Sequence, residues 1–357
     1  MPATKRLRNP LTLAVPGLAL ALILTTHSAA LPPPSPATAL PAAPDFEIYD
    51  PHPEAIDEGS PDVAYNPHKD EYLVVFEHGS GPDHDVRGII VSGTGVPAHA
   101  SLPIAVDTNF DDVNPAVAYN PDDRSYLVVW QRSHQAESYR AIAGCVVSET
   151  VSAPFAVHWT LHGDQRHPDL AYASGPQRFL VVWESHEPFE RPPDIVGTTV
   201  DSAGVDIPPR IQISLEGPTP GEQSTPAVAA SGTTGRWLVT WRDTRTAPTT
   251  GLDIYGQQVQ YTGSALSLWG DLVPVATVIG EAAAPAVAWG PAGGDGEFLV
   301  VWTENCLGDT TYAQRLRADN SPLGDLIAVS DSNAAKSNPV VTYAPLSSDW
   351  WVAWDSG

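Results

Sequence analysis

Six times along the chain a Pro opens a short alternating run of small and β-branched residues, then comes a polar turn, then an apolar run that closes on an aromatic. The opening prolines are Pro61, Pro115, Pro168, Pro226, Pro285 and Pro339, and the closing aromatics are Phe76, Trp130, Trp183, Trp241, Trp302 and Trp354. Alternation over a few residues predicts a strand, as in Ala116–Tyr119, and the Asn-Pro, Gly-Pro or Asp-Asp that follows is hairpin punctuation. The second run, for example Tyr126-Leu127-Val128-Val129-Trp130, is apolar at every position, the pattern of a strand covered on both faces.

A third strand follows in each complete copy and carries a small residue at a matching place: Gly88, Gly144, Gly197, Gly256 and Ala313. A Gly inside a strand marks close packing over the backbone, with a neighbouring Trp as the expected occupant. Fourth strands are predicted at 102–106, 155–158, 210–214, 273–277 and 326–330. No stretch sustains a helical period, so the fold class is all-β. Sheets of four short strands, repeated and covered on both faces, predict a β-propeller.

The sixth copy stops just after its second strand, whereas Phe46-Glu47-Ile48-Tyr49 precedes the first copy as an orphan strand. Ring closure by that N-terminal strand gives five full four-stranded blades plus one composite blade, a six-bladed propeller over 45–357. It also hides edges that invite aggregation. The rival reading is a ring left open or finished by another molecule.

The phrases Asp253-Ile254-Tyr255-Gly256-Gln257 and Tyr312-Ala313-Gln314-Arg315, each preceded by Val-x-Trp, together with Asp319-x-Ser321-Pro322-Leu323-Gly324, resemble a repeat of large secreted bacterial proteins. The match is best over 226–277 and 285–330 and weakens in the first three copies. The resemblance implies a propeller and an extracellular setting, and carries no catalytic residue across. Sialidase-type Asp-boxes are absent from every copy.

The first 30 residues differ from the rest. Lys5, Arg6 and Arg8 precede an apolar core from Leu11 to Leu24, and Ser28-Ala29-Ala30 offers small residues for cleavage, the pattern of a signal peptide. Residues 31–44 read as a Pro/Ala-rich spacer. The chain is therefore expected to be secreted. With 42 acidic residues against 18 Lys and Arg, the net charge is −24. So negative a surface disfavours nucleic acid and anionic membrane, and leaves extracellular protein or glycan as the expected partner. Cys145 and Cys306 occupy different phases of the repeat, so a disulfide and two buried thiols both remain open.

Candidate chemistry falls on the loops after the second and fourth strands, which share one face. Histidines and carboxylates gather there (His78, His84, His134, Glu184, His186 and Glu187), but a metal site needs a convergence across blades that sequence does not guarantee. Asp107-Thr108-Asn109-Phe110-Asp111 matches the opening of a calcium loop, making Asp107, Asn109 and Asp111 candidate ligands and calcium the one candidate cofactor. The match fails beyond it, because Asp112 stands where Gly is wanted and Ala118 where Glu is wanted, so a turn role is preferred. Asp243 and Glu304, just beyond closing Trp residues, are the carboxylates first in line for glycan chemistry. Trp159 and Trp269 lie off the repeat pattern and are the aromatic candidates for ligand contact. These features lead to the expectation of a non-catalytic binding or scaffold propeller that recognises protein or glycan. The alternative is a glycan-active hydrolase or lyase using carboxylates at the axial pocket.

Overall fold

The structure is a computed structural model that describes residues 24–25, 57–80, 83–98, 100–134, 139–161, 163–187, 192–205, 207–214, 221–232, 234–247, 251–277, 280–291, 295–304, 310–330 and 336–356. Among these residues every regular element is a strand. Sheet I comprises Asp57–Asn66, Glu71–Ser80, Asp83–Ser92 and Leu102–Ala105, and sheet II Phe110–Asn120, Ser125–His134, Arg140–Val147 and Phe155–His158. Sheet III comprises Asp164–Ala173, Arg178–His186, Asp194–Val200 and Ile211–Gln212, and sheet IV Gln223–Ala230, Arg236–Asp243, Gly251–Tyr261 and Leu266–Ala276. Sheet V comprises Gly280–Gly290, Glu297–Glu304, Thr310–Arg317 and Pro322–Ala328. Each is an antiparallel meander. Sheets IV and V are also joined by a short parallel pairing of Gly251 and Leu252 with Gly280 and Glu281.

In every sheet the first strand touches the first strands of its sequence neighbours, so the first strands lie innermost and the sheets radiate from them. Apolar clusters fill the spaces between successive sheets: Trp130 and Val117 pack with Leu73 and Val75, and Trp183 packs with Leu127 and Val129. This is the β-propeller expected. The closing Trp residues of sheets II to V are fully buried and serve this packing.

The first strands start earlier than the prolines suggest. Each carries a bulge just before or at its Pro, with register shifts such as Val113/Ala116 and Arg166/Asp169. The residue before the Pro takes positive φ in five copies: Ser60, Asn114, His167, Thr225 and Asn338. Such a bulge re-aims one backbone N–H out of the ladder. The Gly of the third strand is closely packed over in sheets I, II and III, but by an aliphatic or Phe side chain. A Cβ on Gly197 would meet Ile213 Cδ1 at 2.8 Å, and one on Gly144 would meet Phe155 at 3.3 Å.

Sheet VI consists of Lys336–Ala344, Asp349–Ser356 and the short strand Leu24–Thr25. Leu24 pairs with Trp350 and Thr25 with Asp349, so the free edge is met from within the segment read as the export signal. An open edge accepts any extended partner through backbone bonds alone. Phe46–Tyr49, expected in the last blade, lies outside the described residues. Val63 of sheet I is 41% exposed, against 5–7% for its counterparts Val117, Leu170 and Val228, and Val340 of sheet VI is 58% exposed. The faces of sheets I and VI that carry Val63 and Val340 are thus less covered than the faces between the other sheets.

Candidate functional site

At one end of the propeller, the starts of the first strands meet the ends of the second strands. The residue after the closing aromatic is Glu77, Gln131 and Glu184 in sheets I, II and III. Each reaches across to the bulge of the next sheet. Asn114 N donates to Glu77 Oε1, His167 N to Gln131 Oε1, and Thr225 N to Glu184 Oε1, all at 2.6 Å. Sheets I and III add a second carboxylate one step further along the axis. Val117 N donates to Asp62 Oδ2 and Val228 N to Asp169 Oδ2, both at 2.7 Å.

These carboxyls are in opposite electrostatic states. Asp62 and Asp169 are half-buried and crowded by the inner strands. Burial raises Asp62 to about 6 against the N–H bonds from Val117 and Val63. Asp169 is raised to about 7 by burial and then by the charge of Asp62, against N–H bonds from Val228 and Leu170. Burial would also raise Glu184, but hydrogen bonds from His167, His186 and the Thr225 N–H override it and hold that carboxyl at about 2. His167 Nδ1 lies 2.9 Å from Glu184 Oε1, and His186 Nε2 lies 3.9 Å from Oε2. A group that keeps its proton toward neutrality thus shares a sheet with one that has lost it, which permits acid and base roles in one site.

The carboxylates singled out from sequence are placed differently. Asp243 is fully buried, accepts from Trp241 Nε1 at 3.0 Å and from Arg245 Nη2 at 2.6 Å, and has no face left for a ligand. Glu304 is buried at the end of its strand, opposite Thr310. Trp269 sits within the strand Leu266–Ala276, under the Arg236 guanidinium at 3.5 Å, and is a packing residue. Trp159 is 56% exposed and forms an edge contact with Tyr139. Asp107 Oδ1 accepts from the N and Nδ2 of its neighbour Asn109, while Asp111 Oδ1 engages His84 Nδ1 at 2.7 Å. Asp107 and Asn109 therefore bond each other, while Asp111 turns to His84. Among the described residues no three His, Cys, Asp or Glu side chains are grouped to hold a metal ion. Cys145 is buried with its thiol pushed up to about 12, and Cys306 lies outside the described residues.

Asp62 and Asp169 escaped the sequence reading, although a signal for them exists. They follow the Pro in copies one and three, where copies two, four, five and six carry Ala or Val. A carboxylate in an otherwise apolar phase of a repeat marks a position with a different task.

No family model and no curated protein matches the chain. Solved structures share its fold. A protein of unknown function from Dyadobacter fermentans aligns with TM-score 0.59 at 9% identity, covering 85% of this chain and 96% of that one. The alpha-L-arabinanase of Penicillium chrysogenum, complexed with arabinobiose, aligns with TM-score 0.55 at 12% identity, covering 83% and 92%. The intramolecular trans-sialidase of Ruminococcus gnavus aligns with TM-score 0.57 at 8% identity, covering 83% and 89%. The chain is a β-propeller. At these identities the likeness is one of fold, and of what the resemblance to the secreted bacterial repeat implied it supports the propeller alone.

Proposed function

We propose that the chain is an exported glycan-active hydrolase working at the axial carboxyls of sheets I and III. This replaces the expectation of a non-catalytic binding propeller. Solved structures that share the fold over most of this chain include an arabinanase, an arabinofuranosidase and a trans-sialidase, which favour the hydrolase reading. The basic, apolar and small-residue order of the N-terminus supports export.

The observation that carries the reading is the split between Asp169, raised to about 7, and Glu184, held at about 2. Glycosidic cleavage asks for one protonated carboxyl and one ionised carboxylate. Asp169 gives its proton to the glycosidic oxygen as the bond to the anomeric carbon breaks. Glu184, oriented by His167 and the Thr225 N–H, takes a proton from the attacking water or bonds to the anomeric carbon before water releases it. Asp62 raises the proton affinity of Asp169 through its charge.

The test is release of reducing ends from arabino-oligosaccharides, sialosides and aryl glycosides by the purified chain. Cleavage of one class, lost in Asp169→Asn and Glu184→Gln, is expected. A folded chain that cleaves none of them would falsify the proposal.

A further inference from the structure

We infer that a cleft on sheet II is a distal sugar subsite for a neutral oligosaccharide, the substrate class of the proposed hydrolase; its role rests on that reading, its affinity does not. The cleft holds about 150 Å³ and lies where the ends of all four strands of sheet II meet. Phe110 opens the first strand, His134 ends the second, Tyr139 precedes the third and Trp159 follows the fourth. This is the same end of the sheets that carries Glu184 and His167, so both sites open on one face. The four strands span about 14 Å at the usual spacing, so a ligand reaching from the axis to Trp159 is an oligosaccharide rather than a single sugar.

The walls suit a sugar ring. Trp159 exposes most of its indole in a chain whose other described Trp residues are buried or partly covered, and Tyr139 stands edge-on to it at 6.1 Å. The floor is apolar and closed, with Ile142 fully buried and Ala143 nearly so. Apolar walls with a few polar groups are the usual makeup of a small-molecule site, and a cleft this shallow holds one ring of a longer ligand. An aromatic face of this kind stacks on the C–H face of a pyranose or furanose.

The charge balance selects among glycans. Arg132, the one cation lining the cleft apart from His134, is already gripped by Asp112 through two bonds of 2.7 Å and lies over the Phe110 ring. An anionic sugar would find that charge already matched, in a protein of net charge −24. A neutral sugar meets no such cost.

The experiment is equilibrium binding, by calorimetry, of arabinohexaose, xylohexaose and cellohexaose against sialyllactose. It uses the intact chain and the variants Trp159→Ala, Trp159→Phe and Trp269→Ala, each checked by melting. At least one neutral hexaose should bind, about tenfold more weakly to Trp159→Ala, with Trp159→Phe intermediate, Trp269→Ala unchanged and sialyllactose silent. Failure of every neutral hexaose to bind, equal affinity in Trp159→Ala, or preference for sialyllactose overturns the inference. Binding that depends on Trp159 without any hydrolysis would keep the cleft and sink the hydrolase. Hydrolysis with binding indifferent to Trp159 would do the reverse.

Discussion

His167 Nδ1 donates to Glu184 Oε1 at 2.9 Å, and the same oxygen receives the N–H of Thr225 from the next sheet at 2.6 Å. One carboxylate therefore fixes a histidine of its own blade and the bulge of its neighbour. Its folded proton affinity, about 2, lies below the ordinary 4.5. The stability it confers is present above pH 4.5 and lost as the pH falls through about 2. Glu184→Gln keeps an acceptor for Thr225 and removes the charge. Denaturant titrations at pH 3 and pH 7 should show a loss of about 2 kcal/mol at pH 7 that shrinks at pH 3. An equal loss at both pH values would show that the charge contributes nothing.

Asp62 and Asp169 have the opposite sign. Their folded values, about 6 and about 7, lie above the ordinary 3.8, so their stabilising effect is complete below pH 4 and is lost as the pH rises through 6 and 7. Together the two shifts put that fall at several kcal/mol, on the order of 3 kcal/mol for each group. Asp62→Asn/Asp169→Asn should flatten the fall in stability between pH 4 and pH 8, measured by chemical denaturation. A wild-type chain with no such fall would contradict the assignment.

The same values set the expected rate profile. With Asp169 as proton donor, hydrolysis declines as the pH rises through about 7, while Glu184 stays ionised far into acid. Asp62→Asn removes a neighbouring negative charge and should move the alkaline limb to lower pH by a fraction of a unit. A limb that stays put in Asp62→Asn would detach Asp62 from the site.

Asp243, first in line from the sequence, is expected to matter for folding instead. It is fully buried against Arg245 and Trp241. Asp243→Ala strips the acceptor from a buried guanidinium and should cost about 3 kcal/mol. Thermal melting reads the loss, and a change below about 1 kcal/mol would return Asp243 to the list of functional carboxylates.

The second strands and their closing aromatics were legible because a run such as Phe298-Leu299-Val300-Val301-Trp302 has no polar face to expose, and the structure buries all five. The start of the first strand was not. The repeat places the strand's opening at Pro115, yet the ladder begins earlier and the chain passes through this point as a bulge, with Asn114 at φ 50 and its N–H taken by Glu77. That bond links residues 37 positions apart, which no local pattern reveals. Trp269 misled for a similar reason. Its Gly270-Asp271 neighbours look like loop, but cross-strand pairing with Gln258 and the Arg236 guanidinium makes it strand. The axial acids were hidden by abundance, since 42 carboxylates offer many pairs and it is packing that raises Asp62 and Asp169.

The third-strand glycines separate into two kinds, and a paired substitution tests the distinction. A Cβ on Gly197 would lie 2.8 Å from Ile213 Cδ1 and 3.0 Å from the Val181 carbonyl oxygen. The side chain has room to give only by moving into a packed core, and the carbonyl belongs to the neighbouring strand's ladder. At Gly256 the nearest atoms, Leu238 Cδ1 and Thr240 Cγ2, stand at 3.4 and 3.5 Å, ordinary contact for a methyl group. Gly197→Ala should therefore destabilise by about 1–3 kcal/mol through overpacking. Gly256→Ala should be neutral or stabilising by up to about 1 kcal/mol, because Ala reduces the freedom of the unfolded chain. Equilibrium unfolding of the two variants side by side gives the comparison. Equal losses would mean that the third strand demands Gly for its backbone rather than for the side chain packed over it.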